Sequence, residues 1–191
     1  MAARPTQPFN ADTIRKIAAL ALGDAVEITV LVALLQQQNA DGVNRQLNEA
    51  GAGRAAIVLR NALISRLVIL IARAYSKSRK GDLHIREAAS LLKMDNVARQ
   101  IFGSGEGKKR LAEFEGHWSK CSGDHRLPLI KHFRDKHTAH LGEPKDVEAV
   151  KYRDLFEFGN ATARAMELLA LAIGVAVEPI NSDPDIVFSA K

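Results

Sequence analysis

The stretch "DTIRKIAALALGDAVEITVLVALLQQQ", residues 12–38, decides the fold class. Its apolar residues Ile14, Ile17, Ala21, Ile28, Leu31 and Leu35 recur at intervals of three, four and seven. A helix brings such positions onto one face, whereas a half-buried strand needs alternation at every second residue. Asp12 is placed to accept from first-turn N–H groups, so a helix is expected from Asp12 to about Gln38, with Gly23 a weak point and "NADG" ending it.

The rest of the chain extends that pattern. It has 191 residues, enough for one domain with its own core. Aromatic residues make up only 5% while Ala and Leu abound, a composition that favours helices over sheets. After the glycines at 51 and 53, a second long helix is expected over residues 55–78, stopped by "SKSRKGD" with cations in its last turn. One or two short helices are expected over residues 83–102, around "IREAASLL" and "DNVARQIF", then a loop at "GSGEG" and a helix over 108–121. Asp124 or Arg126 should start the next helix, since Pro128 is tolerated only in a first turn. A last long helix is expected over 147–175. No alternating run long enough for a sheet occurs. The fold class is therefore all-α, an up-and-down helical bundle with additional short helices. Residues 1–10 read as a flexible lead-in, 11–177 as a single helical domain and 178–191 as a tail.

Charge and cysteine usage narrow the function. The net charge of +5 and a sequence pI near 9.5 favour an anionic partner. Cys121 is the one cysteine, which excludes an intrachain disulfide and a thiolate metal cluster and suits a reducing compartment, the cytoplasm. The N-terminal residues lack the apolar region of a secretory signal. Three apolar runs carry internal charges: residues 17–35 with Asp24 and Glu27, 62–75 with Arg66 and Arg73, and 165–177 with Glu167. None reaches about 18 uninterrupted apolar residues, so all three read as core helices and no membrane partner is expected.

Two motifs are decoys. "FGSGEGKK" lacks the glycine and the Ser or Thr of a phosphate-binding loop, since Phe102 and Lys109 occupy those places. "IREAASLLKMDNVARQIFG" mimics the spacing of a DNA-binding helix-turn-helix, but Lys93 to Asn96 supply no turn glycine, and an amphipathic helix packed on a bundle explains the same residues.

The informative run is "LPLIKHFRDKHTAHLGEP", residues 127–144. Ile130, Phe133, His137 and Leu141 follow a 3-4-4 spacing, so an apolar stripe contains a histidine. His137 and His140, with His132 and Asp135 nearby, lack a further ligand at metal-binding spacing, and no metal or cofactor is expected. On a continuous α-helix, Arg134 and His140 are about 600° apart along the winding and diverge by about 120°. They would flank the stripe. Packed against the same stripe of a second copy, the helix would form a basic groove able to hold a phosphodiester.

"RDKHTAH", residues 134–140, resembles the motif of HEPN ribonuclease domains: arginine, a polar residue, a short spacer, then histidine. Phe133–Leu141 is similar to the "F-R-D-K-x-x-A-H-L" helix of the AbiU-type abortive-infection branch. The flanks "ISRLVILIARAYSKSRKGDLHIREAASLL" and "KYRDLFEFGNATARAMELLALAIG" resemble that branch too. The resemblance implies a HEPN-like bundle and a metal-independent endoribonuclease built from two protomers. His140 would then do acid–base chemistry on the RNA 2′-hydroxyl or leaving oxygen, Arg134 would hold the scissile phosphate, and Asp135 would orient one of them. The residue types suit those tasks, because imidazole titrates near working pH and guanidinium grips phosphate through paired donors. Lys131, Lys136 and His137 are candidate substrate contacts, His137 reading also as a core or interface residue. Expected partners are RNA, a second copy and a separate antitoxin or regulatory chain. The alternatives are a non-catalytic HEPN module that binds RNA or protein, and a helix-turn-helix DNA-binding regulator.

Overall fold

In a computed structural model the described residues are 9–77, 83–94, 105–135, 150–176, 178 and 180. Among them lie seven helices and no strand: α1 (Phe9–Gln38), α2 (Asp41–Glu49), α3 (Gly53–Ala74), α4 (Ile85–Leu92), α5 (Gly105–Ser122), α6 (Arg126–Phe133) and α7 (Tyr152–Ile173). The fold is an all-α helical bundle. The second short helix expected at "DNVARQIF", the lead-in over 1–8 and the tail beyond 180 lie outside the described residues.

The axis of the bundle is α7, which packs along α1 on one side and α5 on the other. It can do so because nearly every residue from Leu155 to Ala172 on its inner faces is apolar or small, and thirteen of its residues are buried. Gly159 lets the backbones close in. A Cβ at that position would lie 3.3 Å from Val32 Cγ2 and 3.5 Å from Ile71 Cδ1, so α1, α3 and α7 meet there. Leu67 and Ile71 there, and Phe158, Phe114, Ile28 and Met166 elsewhere in the core, are fully buried.

The stripe read from α1 is the buried one: Ile14, Ile17, Ala21, Ile28, Leu31 and Leu35 all face the core. Helices α1 and α3 are long and apolar enough, by length and composition, to cross a membrane. In the fold they pack on each other and bring their charges together. Arg66 donates to both oxygens of Glu27 at 2.6 and 2.7 Å, and Arg73 pairs with Asp24. The guanidinium of Arg66 holds the Glu27 carboxyl below its usual range.

Several boundaries differ from the sequence expectation. Helix α1 begins at Phe9, so Asp12 lies in its first turn and pairs with Arg15 at 3.2 Å; there it favours the helix through the dipole and not as a cap. Helix α2 was not anticipated. It buries no residue, and its ties are local: Arg60 of α3 donates to Asn44 at 3.1 Å. Gly51, at φ +70°, ends α2 in a left-handed turn in which Ala52 N–H donates to Leu47 at 2.8 Å. Helix α3 spans 53–74 and not 55–78. Helix α5 starts at Gly105 and not Lys108, since first-turn residues owe no intrahelical N–H bond and Glu106 suits the positive helix end. Helix α7 starts at Tyr152, five residues later than expected. Gly174, at φ +76°, closes it, with Val175 N–H donating to Ala170 at 2.9 Å.

Candidate active site

Helix α6 carries the described part of the motif, and its start is fixed by chemistry in its first residues. Asp124 accepts from the Arg126 backbone N–H at 2.8 Å and from its guanidinium at 3.0 and 2.8 Å. Those bonds hold the Asp124 carboxyl below its usual range. Arg126 also reaches Glu157 of α7 at 3.1 Å and lies over the Phe158 ring at 5.5 Å, so Asp124 fixes the start of α6 and the Arg126 side chain locks it to α7. Pro128 is the third helical residue, where its missing N–H costs nothing. Leu127 and Ile130 are buried and Phe133 is half-buried against the core, facing α3.

That packing aims the polar side of α6 at the C-terminal end of α3. Lys131 Nζ donates to the Tyr75 carbonyl at 3.0 Å. Arg134, three residues on and therefore on the same side, reaches the Ser76 hydroxyl at 3.5 Å. Arg86 of α4 approaches the same Tyr75 carbonyl at 3.4 Å. A helix C-terminus presents unpaired carbonyls and a partial negative charge, which is why three cations from two other elements collect there. Burial, and then repulsion from Arg86 and Arg134, lowers the pKa of Lys131. The three cations therefore form one electropositive patch.

Arg134 and Asp135 sit where the α-helical winding gives way to a wider, π-type turn. The Asp135 carboxylate accepts from Arg134 Nε at 2.7 Å, and its same oxygen lies 2.6 Å from Nη2. The guanidinium is thus held on one edge by Asp135 and on another by Ser76. Single π-type turns are rare and occur frequently at functional sites. They also change the angular phase. The 120° divergence between Arg134 and His140 presumed α-helical winding throughout, and residues 134–135 depart from it.

Of the sequence-predicted site residues, the structure brings together Lys131, Arg134 and Asp135. Lys136, His137 and His140 lie outside the described residues. No three metal-ligating side chains come together among the described residues. Arg86 was not singled out from sequence: on a short amphipathic helix it reads as an ordinary exposed cation, and only tertiary packing carries it to Tyr75. The alanines and leucine of the helix-turn-helix decoy, Ala88, Ala89 and Leu92, are buried, so α4 packs into the bundle through them, chiefly against α1. Gly105 to Lys109, read as part of a phosphate-loop decoy, are the first turns of α5.

No curated protein and no solved structure matches the chain. Residues 14–184 match the AbiU2 family of HEPN domains, HEPN_AbiU2, and that span takes in every described helix but the first turn of α1. An all-α bundle and a match over most of the chain agree, and the protein belongs to the AbiU2 HEPN family.

Proposed function

We propose that the chain is a metal-independent endoribonuclease that cuts RNA at a site shared by two protomers. It would act in the cytoplasm in abortive infection or a toxin-like stress response, restrained by a separate antitoxin or regulatory chain. The observation that carries this reading is the Arg134 guanidinium, oriented by Asp135 and Ser76 at the end of α6, with Lys131 one turn earlier. An oriented guanidinium suits a phosphate that gains charge in the transition state, because the donors need no reorganisation as the charge develops.

His140 completes the chemistry. The 2′-oxygen attacks phosphorus as its proton is taken, and the bond to the 5′-oxygen breaks as that oxygen gains a proton. An imidazole can serve either proton transfer near neutral pH. The products are a 2′,3′-cyclic phosphate and a 5′-hydroxyl, and a strand lacking the 2′-hydroxyl is not cut. The test is incubation of purified wild type, His140→Ala and Arg134→Ala with total RNA under chelator. New 5′-hydroxyl ends from wild type alone support the reading. Equal cleavage by all three refutes it, since the activity then lies elsewhere.

A further inference from the structure

The Lys131 side of α6 opens onto a cavity of about 290 Å³ in the bundle wall, lined by the end of α3, α4, α5 and α6. Arg86, Lys93 and Lys131 line it together with Tyr75 and Trp118, and among the described residues no carboxylate lines it. Among the described residues no Asp or Glu forms an ion pair with any of these three cations. Elsewhere on the same chain arginines are matched to acids: Arg66 with Glu27, Arg126 with Asp124, Arg153 with Glu157. Three cations around one concave space repel one another; at Lys131, burial first and then the charges of Arg86 and Arg134 lower the pKa, with Asp135 opposing them. An anion entering the cavity would relieve that repulsion.

The geometry points to this cavity as a subsite for a second phosphate of the bound RNA strand, gripped by Arg86, Lys93 and Lys131 beside the phosphate at Arg134. The assignment rests on the ribonuclease reading for its direction along the strand. Lys131 contacts Tyr75 and Arg134 contacts Ser76, adjacent residues at the end of α3, so the two cations are placed for neighbouring phosphates. The Tyr75 carbonyl takes one donor from Lys131 and one from Arg86. An ammonium has three donors and a guanidinium five, so both cations keep donors for a phosphate. Trp118, stacked on Tyr75 at a centroid distance of 4.9 Å, forms an apolar wall against which a ribose or base edge can rest.

The chain's single tryptophan is the one in this wall, so its emission reports on the cavity directly. The experiment titrates the full-length protein with a 2′-O-methyl oligonucleotide, which cannot be cut, and follows Trp118 fluorescence. Adenosine monophosphate is the probe in a parallel arm. Arg86 and Lys93 are exposed, so Arg86→Gln and Lys93→Gln leave the core intact, and thermal melts confirm this. We expect saturable quenching by the oligonucleotide, weakened about 10-fold or more in the double variant, as for loss of charged hydrogen bonds. The salt dependence should become shallower, by about 0.7 in log–log slope per lost phosphate contact. Arg86→Lys should recover part of the affinity. A silent Trp118, or a double variant that binds as wild type, overturns the subsite even if cleavage persists. Equal affinity for the mononucleotide overturns the strand assignment in favour of a free nucleotide. Quenching that depends on Arg86 and Lys93 in a protein that cuts no RNA supports the subsite while refuting the nuclease.

Discussion

Replacing Asp124 isolates the contact that aims the candidate site. Asp124 and Arg126 are only 18% and 20% exposed, so their bonds are shielded from water and worth more than those of a surface pair. Asp124→Ala removes the acceptor for the Arg126 backbone N–H, a cap-like loss of about 1 kcal/mol. It also removes the acceptor for two guanidinium bonds, which share one partner and together contribute about 1.5–2 kcal/mol. Arg126 keeps Glu157 at 3.1 Å, which limits the damage. The total is about 2–3 kcal/mol, or a fall in Tm of about 4–12 °C for a chain of this size. Asp124→Asn keeps a backbone acceptor and should lose about half as much. The carboxyl's folded-state pKa lies below its ordinary value of 3.8 because Arg126 hydrogen-bonds it. Its contribution is therefore full above pH 3.8 and is lost as the pH falls through the folded-state value. Urea denaturation of wild type, Asp124→Ala and Asp124→Asn at neutral and strongly acidic pH reads this out. The wild-type and Asn curves should converge in acid. A gap that does not narrow with pH, or a loss below about 0.5 kcal/mol for Asp124→Ala, would sink the account.

Other outcomes follow from particular residues. Arg134→Lys keeps the charge and loses the fork, so RNA binding in gel shifts should stay near wild type while cleavage falls; His140→Ala should bind normally and lose about 100-fold or more in rate, with the double variant little worse than either. Gly159→Ala should change stability by less than about 1 kcal/mol, helix propensity offsetting a 3.3 Å contact with Val32, whereas Gly159→Val should cost about 1–3 kcal/mol by overpacking, both measured by urea denaturation. Cys121 is buried and burial pushes its thiol pKa up, so iodoacetamide at pH 8 should label the native chain at least about 10-fold more slowly than the denatured one.

Much of the bundle was legible because its signal is local. The stripe of α1 is visible at single-residue spacing, and burial follows it residue by residue. The stop at "NADG", the start near Asp124 and the tolerance of Pro128 rest on which backbone groups lack a partner at helix ends, a property of the neighbouring few residues. Helix α2 was missed for the complementary reason. It buries nothing, so it carries no core-facing stripe for a periodicity argument to find.

The candidate site divides along the same line. Arg134 and Asp135 are adjacent in the chain, so their pairing is within reach of a sequence reading, and the "RDKHTAH" motif pointed to the family that residues 14–184 match. The convergence of Arg86, Lys131 and Arg134 on the end of α3 is a tertiary event: more than forty positions separate the first from the others. Sequence alone determined where the core helices form, because a helix satisfies its backbone within itself and these carry an apolar stripe. Only the packing of α4 and α6 against α3 decided where their cations point, because the carbonyls that attract them belong to another element.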